Sequence, residues 1–163
     1  MGELPAKQHV AIDPNQEGAW DDAGLCAVDC SGLRNYLDFR PELSSLELPR
    51  MVERGERFGL VYIDGSHLYE DVFVDFYFVA RLLADDGVVI FDDRTDPHVH
   101  KALCFIRRNL RSSFQEMDLQ PDRKDKGKSY RYRLGRSLGK TQMTGFRRIG
   151  EPSRQWDAAF VDF

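Results

Sequence analysis

The sequence predicts an α/β fold built on a mostly parallel sheet, and three observations predict it. Short, near-continuous apolar runs alternate along the chain with longer amphipathic segments, which is the pattern of buried strands joined by crossover helices. Three of the apolar runs end in acid: HVAID on Asp13, GLVYID on Asp64, and GVVIFDD on Asp92 and Asp93. The chain has 163 residues, 42% of them hydrophobic, enough for one core, so a single domain over residues 1–163 is expected.

Each element follows in order. HVAID (9–13) reads as a buried strand, EGAWDDAGLCAV as a helical segment weakened by Gly24, and LRNYLDF as the next strand. SLELPRMVERG reads as a short helix with Pro49 in its first turn, where a missing N–H does little harm. GLVYID (59–64) is the clearest strand. A long amphipathic helix is expected from about Leu68 to Ala84, its apolar face made by Val72, Phe73, Phe76, Val79, Leu82 and Leu83, with DDG ending it. GVVIFDD (87–93) is another buried strand, and a helix from His98 to about Leu110 aligns Val99, Ala102, Leu103, Ile106 and Leu110. FQEMDL returning through SYRYRL reads as a C-terminal antiparallel hairpin. The sequence has no internal repeat and no low-complexity tract.

Composition narrows the function. The start, MGELPAKQHV, lacks the apolar core of a secretory signal, and no run approaches the roughly 18 residues needed to cross a bilayer, so a cytoplasmic protein with no membrane partner is expected. Cys26 and Cys30 stand four apart, a helical spacing rather than a C-x-x-C knuckle, and with Cys104 they read as reduced, buried thiols. The modest net charge of −4 hides an asymmetry: residues 1–98 hold 20 acids against 8 Lys and Arg, while residues 99–163 hold 15 bases against 7 acids. The basic half contains PDRKDKGKSYRYRLGR (121–136), which interleaves cations with Tyr130 and Tyr132 as nucleic-acid binders do. A charged edge hairpin, guarded against unwanted strand pairing, explains it better, so nucleic acid is not expected as a partner.

The acids at the strand ends say where function lies. In open α/β sheets the ligand crevice lies beyond the carboxyl ends of the strands, and four carboxylates would meet at that rim. Singly, each has an ordinary explanation as a turn residue or helix N-cap; their recurrence at three strand ends does not.

HVAIDPNQ, then RFGLVYIDGSHLYEDVFVDFYFVARLLADDGVVIFDD, then KALCFIRRNL resemble, in order and spacing, the class I S-adenosylmethionine-dependent methyltransferases. The resemblance is closest to the branch whose fourth strand ends in I-D-G-x-H and whose fifth ends in D-D, and FRRIGEPSRQWDAAF is similar to that branch's tail. It implies a Rossmann-like sheet of strand order 3-2-1-4-5-7-6, S-adenosylmethionine as cofactor, and O-methylation of a small-molecule acceptor. It assigns Asp13 to the cofactor's ribose hydroxyls, a task suited to a carboxylate with two acceptor oxygens, with Asp64 and Gly65 beside the cofactor. It also places a divalent metal, Mg²⁺ in the first instance, on Asp64, Asp92 and Asp93, since hard carboxylate oxygens suit such an ion and the ion would ease deprotonation of an acceptor hydroxyl. Asp64 and His67 are the implied catalytic residues; His67 stands at the start of the following helix, where the dipole disfavours imidazolium and keeps the ring available as base or ligand.

Two departures accompany the resemblance. Ser66 stands where some metal-dependent relatives carry another acid, and the chain contains no G-x-G, the glycine-rich loop that ends the family's first strand. The first strand itself is absent, and its slot lies at the centre of the sheet. Left empty, it would hold the neighbouring strands about 9–10 Å apart with buried N–H and C=O groups unpaired. Either those neighbours pair directly, or another segment or a second copy of the chain fills the gap, or the chain is part of a longer protein. The resemblance therefore leaves two functions open: a methyltransferase, or a non-catalytic remnant of the fold serving as a binding or oligomerising module.

Overall fold

A computed structural model describes residues 9–117, 119 and 142–163. The chain forms two compact units, Met1–Met51 and Val52–Phe163.

In the first unit, β1 (His9–Ile12) and β2 (Leu37–Arg40) pair in parallel from His9↔Leu37 to Ile12↔Arg40. The expected helix over 17–28 is two helices, α1 (Gln16–Ala19) and α2 (Ala23–Cys30). Asp21 and Asp22 break it, at φ of 47° and 55°, left-handed values that no right-handed helix accommodates. The strand expected from Leu33 begins only at Leu37, because Arg34–Tyr36 form a 3₁₀ turn first. In α3 (Ser44–Glu53), Pro49 is the sixth residue rather than part of the first turn, so one helical hydrogen bond is lost. The buried Glu47 offsets this by accepting from Arg40 Nη1 at 2.9 Å, which ties α3 to β2. Cys26 and Cys30 are exposed rather than buried, because α2 is short and has no buried residue.

The second unit holds a four-stranded sheet in the order β3-β4-β6-β5, with β3 Phe58–Ile63, β4 Leu83–Phe91, β5 Phe114–Met117 and β6 Thr144–Arg148. This is the 4-5-7-6 run that the resemblance implies. β3 and β4 are parallel, whereas β6 runs antiparallel to both β4 and β5. Among the described residues the parallel and antiparallel pairings are therefore equal in number, and β1 and β3 belong to different sheets.

α4 (Tyr69–Leu82) passes directly into β4. Asp85-Asp86-Gly87, expected to end the helix, instead forms a bulge in the strand. The register jumps from Phe58↔Leu83 to Leu60↔Val88, and Asp86 takes a φ of 59°. A side chain at Gly87 would lie 2.8 Å from the Ala84 carbonyl, so the bulge requires glycine there. α5 (Pro97–Asn109) begins where expected, with Pro97 at its first position and the Asp96 carboxylate accepting from the His98 and Val99 amides. β5 pairs antiparallel with Thr144–Arg148, whereas SYRYRL, expected as its hairpin partner, and the basic run 121–136 lie outside the described residues.

Four aromatic rings centre the core of this unit. Phe76 of α4 meets Phe91 of β4 at 5.9 Å and Phe114 of β5 at 5.2 Å, and Phe91 meets Phe146 of β6 at 6.1 Å. Val79, Leu82, Leu103 and Ile106 close the layer from the two helices. The closing residues fold back on α5: Asn109 and Val161 exchange hydrogen bonds at 2.8 and 2.9 Å, and Phe163 packs edge-on against Phe105. No helix among the described residues is long and apolar enough to cross a membrane.

Candidate active site

Because β3 and β4 are parallel, their carboxyl ends share one rim. The Asp92 amide donates to the Ile63 carbonyl at 3.1 Å, carrying the ladder one step past β4, so Asp64, Asp92 and Asp93 leave the sheet together. The chain then turns through Gly65 and Ser66, whose Oγ accepts from the Leu68 amide at 3.2 Å. A side chain at Gly65 would meet only ordinary contact, 3.8 Å from Asp75 Oδ2, so no close approach demands the glycine in this structure. At the start of α4 the Tyr69 amide donates to His98 Nδ1 at 3.2 Å, joining the two helix N-termini above the rim. With Nδ1 accepting, a neutral His98 carries its proton on Nε2.

His67 precedes α4 and reaches Asp93, with Nε2 3.1 Å from Oδ2. Asp93 makes this possible by adopting a φ of 46°, a conformation that aspartate tolerates better than most residues. Asp64, His67 and Asp93 each offer one ligand atom, and these atoms lie within 4.8 Å of one another. Two carboxylates and an imidazole at that spacing suit a divalent cation.

Asp92 belongs to a different set of bonds. Its Oδ2 accepts from the Tyr62 hydroxyl at 2.5 Å and its Oδ1 from the Asp93 amide at 2.8 Å. The structure thus brings Asp64, His67 and Asp93 together and sets Asp92 beside them. Tyr62 is the site residue that sequence reasoning missed. Part of its signal was present, since strand alternation puts Tyr62 and Asp64 on one face of β3, but only the register of β3 on β4 brings Asp92 to that face.

The electrostatics follow from this crowding. Burial, then the charges of Asp92 and Asp93, push the Asp64 carboxyl above its ordinary value, with His67 opposing. Burial also pushes Asp92 upward, but hydrogen bonds from Tyr62, the Asp93 amide and Gln142 outweigh it and hold Asp92 below the usual carboxylate value. The bond to Asp92, burial and the surrounding carboxylates drive the Tyr62 hydroxyl well above the ordinary phenol value, so it stays a donor. A small recess opens at this rim, floored by the buried Val72, Phe91 and Val99 and edged by Asp64, His67 and Asp92.

Asp13, in the first unit, follows β1, and its carboxylate caps its own turn. Oδ1 accepts from the Asn15 amide at 2.8 Å and Oδ2 from Gln16 Nε2 at 2.7 Å. A ligand with two hydroxyl donors would compete with Gln16 and Asn15 for the same oxygens.

Residues 2–94 match the family described as "Methyltransferase domain". Among solved structures the chain is similar in fold to the apo form of a TDP-rhamnose 3'-O-methyltransferase of calicheamicin biosynthesis, at 15% sequence identity and a TM-score of 0.56. That similarity covers 91% of this chain and 60% of the other, so the chain spans less than two thirds of that enzyme's length. No curated protein matches the chain.

Proposed function

The chain belongs to the methyltransferase-domain family, and from that premise we propose that it transfers a methyl group from S-adenosylmethionine to an oxygen of a small molecule in the cytoplasm. The observation that carries this reading is the gathering of Asp64, His67 and Asp93 at the shared carboxyl end of two parallel strands, where ligands of open α/β sheets bind. The solved neighbour is, by name, an O-methyltransferase of a sugar nucleotide, which supports an oxygen acceptor.

The cofactor supplies an electrophilic methyl on a sulfonium, and a divalent ion such as Mg²⁺ supplies charge that eases loss of the acceptor's hydroxyl proton. The chain's residues do the rest. Asp13 offers two carboxylate oxygens to the ribose hydroxyls, releasing Asn15 and Gln16 as it does so. Asp64 and Asp93 hold the cation and orient the acceptor. His67 either completes that ligand set or, with Nε2 donating to Asp93, takes the acceptor's proton at Nδ1. Val72, Phe91 and Val99 keep water from the floor of the recess.

Calorimetric titration of S-adenosylmethionine into the purified chain, with and without Mg²⁺, tests the reading. Micromolar binding, about −8 kcal/mol, supports it and directs acceptor screening toward hydroxylated small molecules. Absence of heat favours the second reading, a non-catalytic binding or oligomerising module, which the lack of any G-x-G in the sequence also supports.

A further inference from the structure

β3 is an edge strand that carries none of the usual guards. Among the described residues its one strand partner is β4, and β1 belongs to another sheet. Exposed edges are ordinarily blunted by lysine, proline or a bulge. The β3 segment FGLVYI contains no charge and no proline, and the bulge of this pair lies in β4. Backbone groups alternate in direction along a strand. The Ile63 carbonyl accepts from the Asp92 amide, so the groups of Val61 also face β4, while those of Leu60 and Tyr62 face outward. Leu60 and Tyr62 are 62% and 49% exposed, and a side chain at Gly59 would meet nothing within 4 Å.

We infer that β3 is a dimer interface, pairing antiparallel with the β3 of a second copy of the chain, Val61 opposite Val61. A two-fold axis normal to the sheet keeps like faces together only where one residue opposes its own copy. Centring on Leu60 would set Glu56 against Asp64, like charges directly opposed. Centring on Val61 sets Leu60 against Tyr62 on the exposed face, and each exchanges its outward N–H and C=O with the other. Continued one step past the strand ends, this register sets the partner's Arg57 opposite Gly65. Alternation puts that arginine on the face of Gly65 and Ile63, which line the recess at the rim. Arg57 is exposed, and its neighbour Glu56 is held by Arg54 at 2.6 Å. Each copy thus lends a guanidinium to the acidic rim of the other, where Asp64 stands among Asp92 and Asp93. This charge complementarity selects a second copy as the occupant over an unrelated strand. The inference rests on β3 and not on the cofactor reading.

Sedimentation velocity of the full chain over a concentration series tests the dimer, and a cysteine trap tests its register. Opposed residues that do not exchange hydrogen bonds lie about 4.5 Å apart at Cα, within the span of a disulfide. In a background of Cys26→Ser, Cys30→Ser and Cys104→Ser, Val61→Cys should crosslink two chains on mild oxidation. Leu60→Cys, offset from its own copy, should crosslink at least about tenfold more slowly. Leu60→Lys in the wild-type chain places a guard at an exposed position, and should weaken dimerisation about tenfold or more at unchanged circular dichroism. Arg57→Glu should weaken it as well. A wild-type chain that stays monomeric overturns the inference, and protection of the Leu60 and Tyr62 amides from hydrogen exchange in that monomer would assign the edge to another segment of the same chain. So does a dimer indifferent to Leu60→Lys or to Arg57→Glu, or one that is trapped as readily through position 60 as through 61.

Discussion

Asp64 bears most of the proposed chemistry at the residue scale, and it is placed at a cost. Burial, then two neighbouring carboxylates, oppose its charge, so the fold gains nothing from ionised Asp64 and a cation beside it would relieve the repulsion. Asp64→Asn should therefore preserve the fold and lower methyl transfer by about a hundredfold or more, the scale on which metal sites respond to altered ligation. Steady-state rates beside far-ultraviolet circular dichroism check both halves. Glu116 has the opposite character. Hydrogen bonds from Arg107 at 2.8 and 2.6 Å outweigh burial and hold its carboxyl below the ordinary value. A carboxyl depressed on folding adds stability above its unfolded value, and that stability drains away as pH falls through the folded value. Glu116→Gln should thus narrow the difference in stability between neutral and acidic solution, as measured by urea denaturation at both. Equal pH dependence in variant and wild type would show that the pair contributes nothing.

Helix ends and strand partners matter most at the scale of the element. α5 starts where Asp96 accepts from two amides and Pro97 occupies the first position, and its His98 in turn accepts from the first amide of α4. Asp96→Ala should cost about 1 kcal/mol of stability, the usual worth of an N-cap, read as a lower denaturation midpoint at unchanged slope. The start of this helix near His98 was legible beforehand from the apolar spacing of Val99, Ala102, Leu103 and Ile106, whereas the cap at Asp96 was not read. The bulge at Asp85-Asp86-Gly87 was not. The same three residues make a good helix stop, and only the pairing of Leu83 with Phe58 carries the strand back across them. Nor was the pairing of β5 with Thr144–Arg148 legible, since that strand finds its place only between Val88 to Phe91 of β4 on one side and β5 on the other.

The core of the second unit centres on one aromatic cluster drawn from four elements, α4, β4, β5 and β6. Phe91 touches both Phe76 and Phe146, is fully buried, and immediately precedes the site carboxylates. Phe91→Ala should lower stability by about 3–5 kcal/mol, a loss visible by thermal or chemical denaturation. It should also weaken ligand binding at the recess, whose floor Phe91 forms.

By itself the sequence determined that β3 and β4 are strands and that both end in acid, because apolar periodicity records which side of a segment is buried and needs no knowledge of its neighbours. It therefore located the rim and its acids Asp64, Asp92 and Asp93 before any tertiary contact was known, and the family resemblance added His67. Only the tertiary structure decided how those groups divide, with Asp93 facing His67 and Asp92 facing Tyr62. That division depends on one backbone angle and on register across a parallel pair 30 residues apart, and neither is encoded in the local pattern of apolar and polar residues.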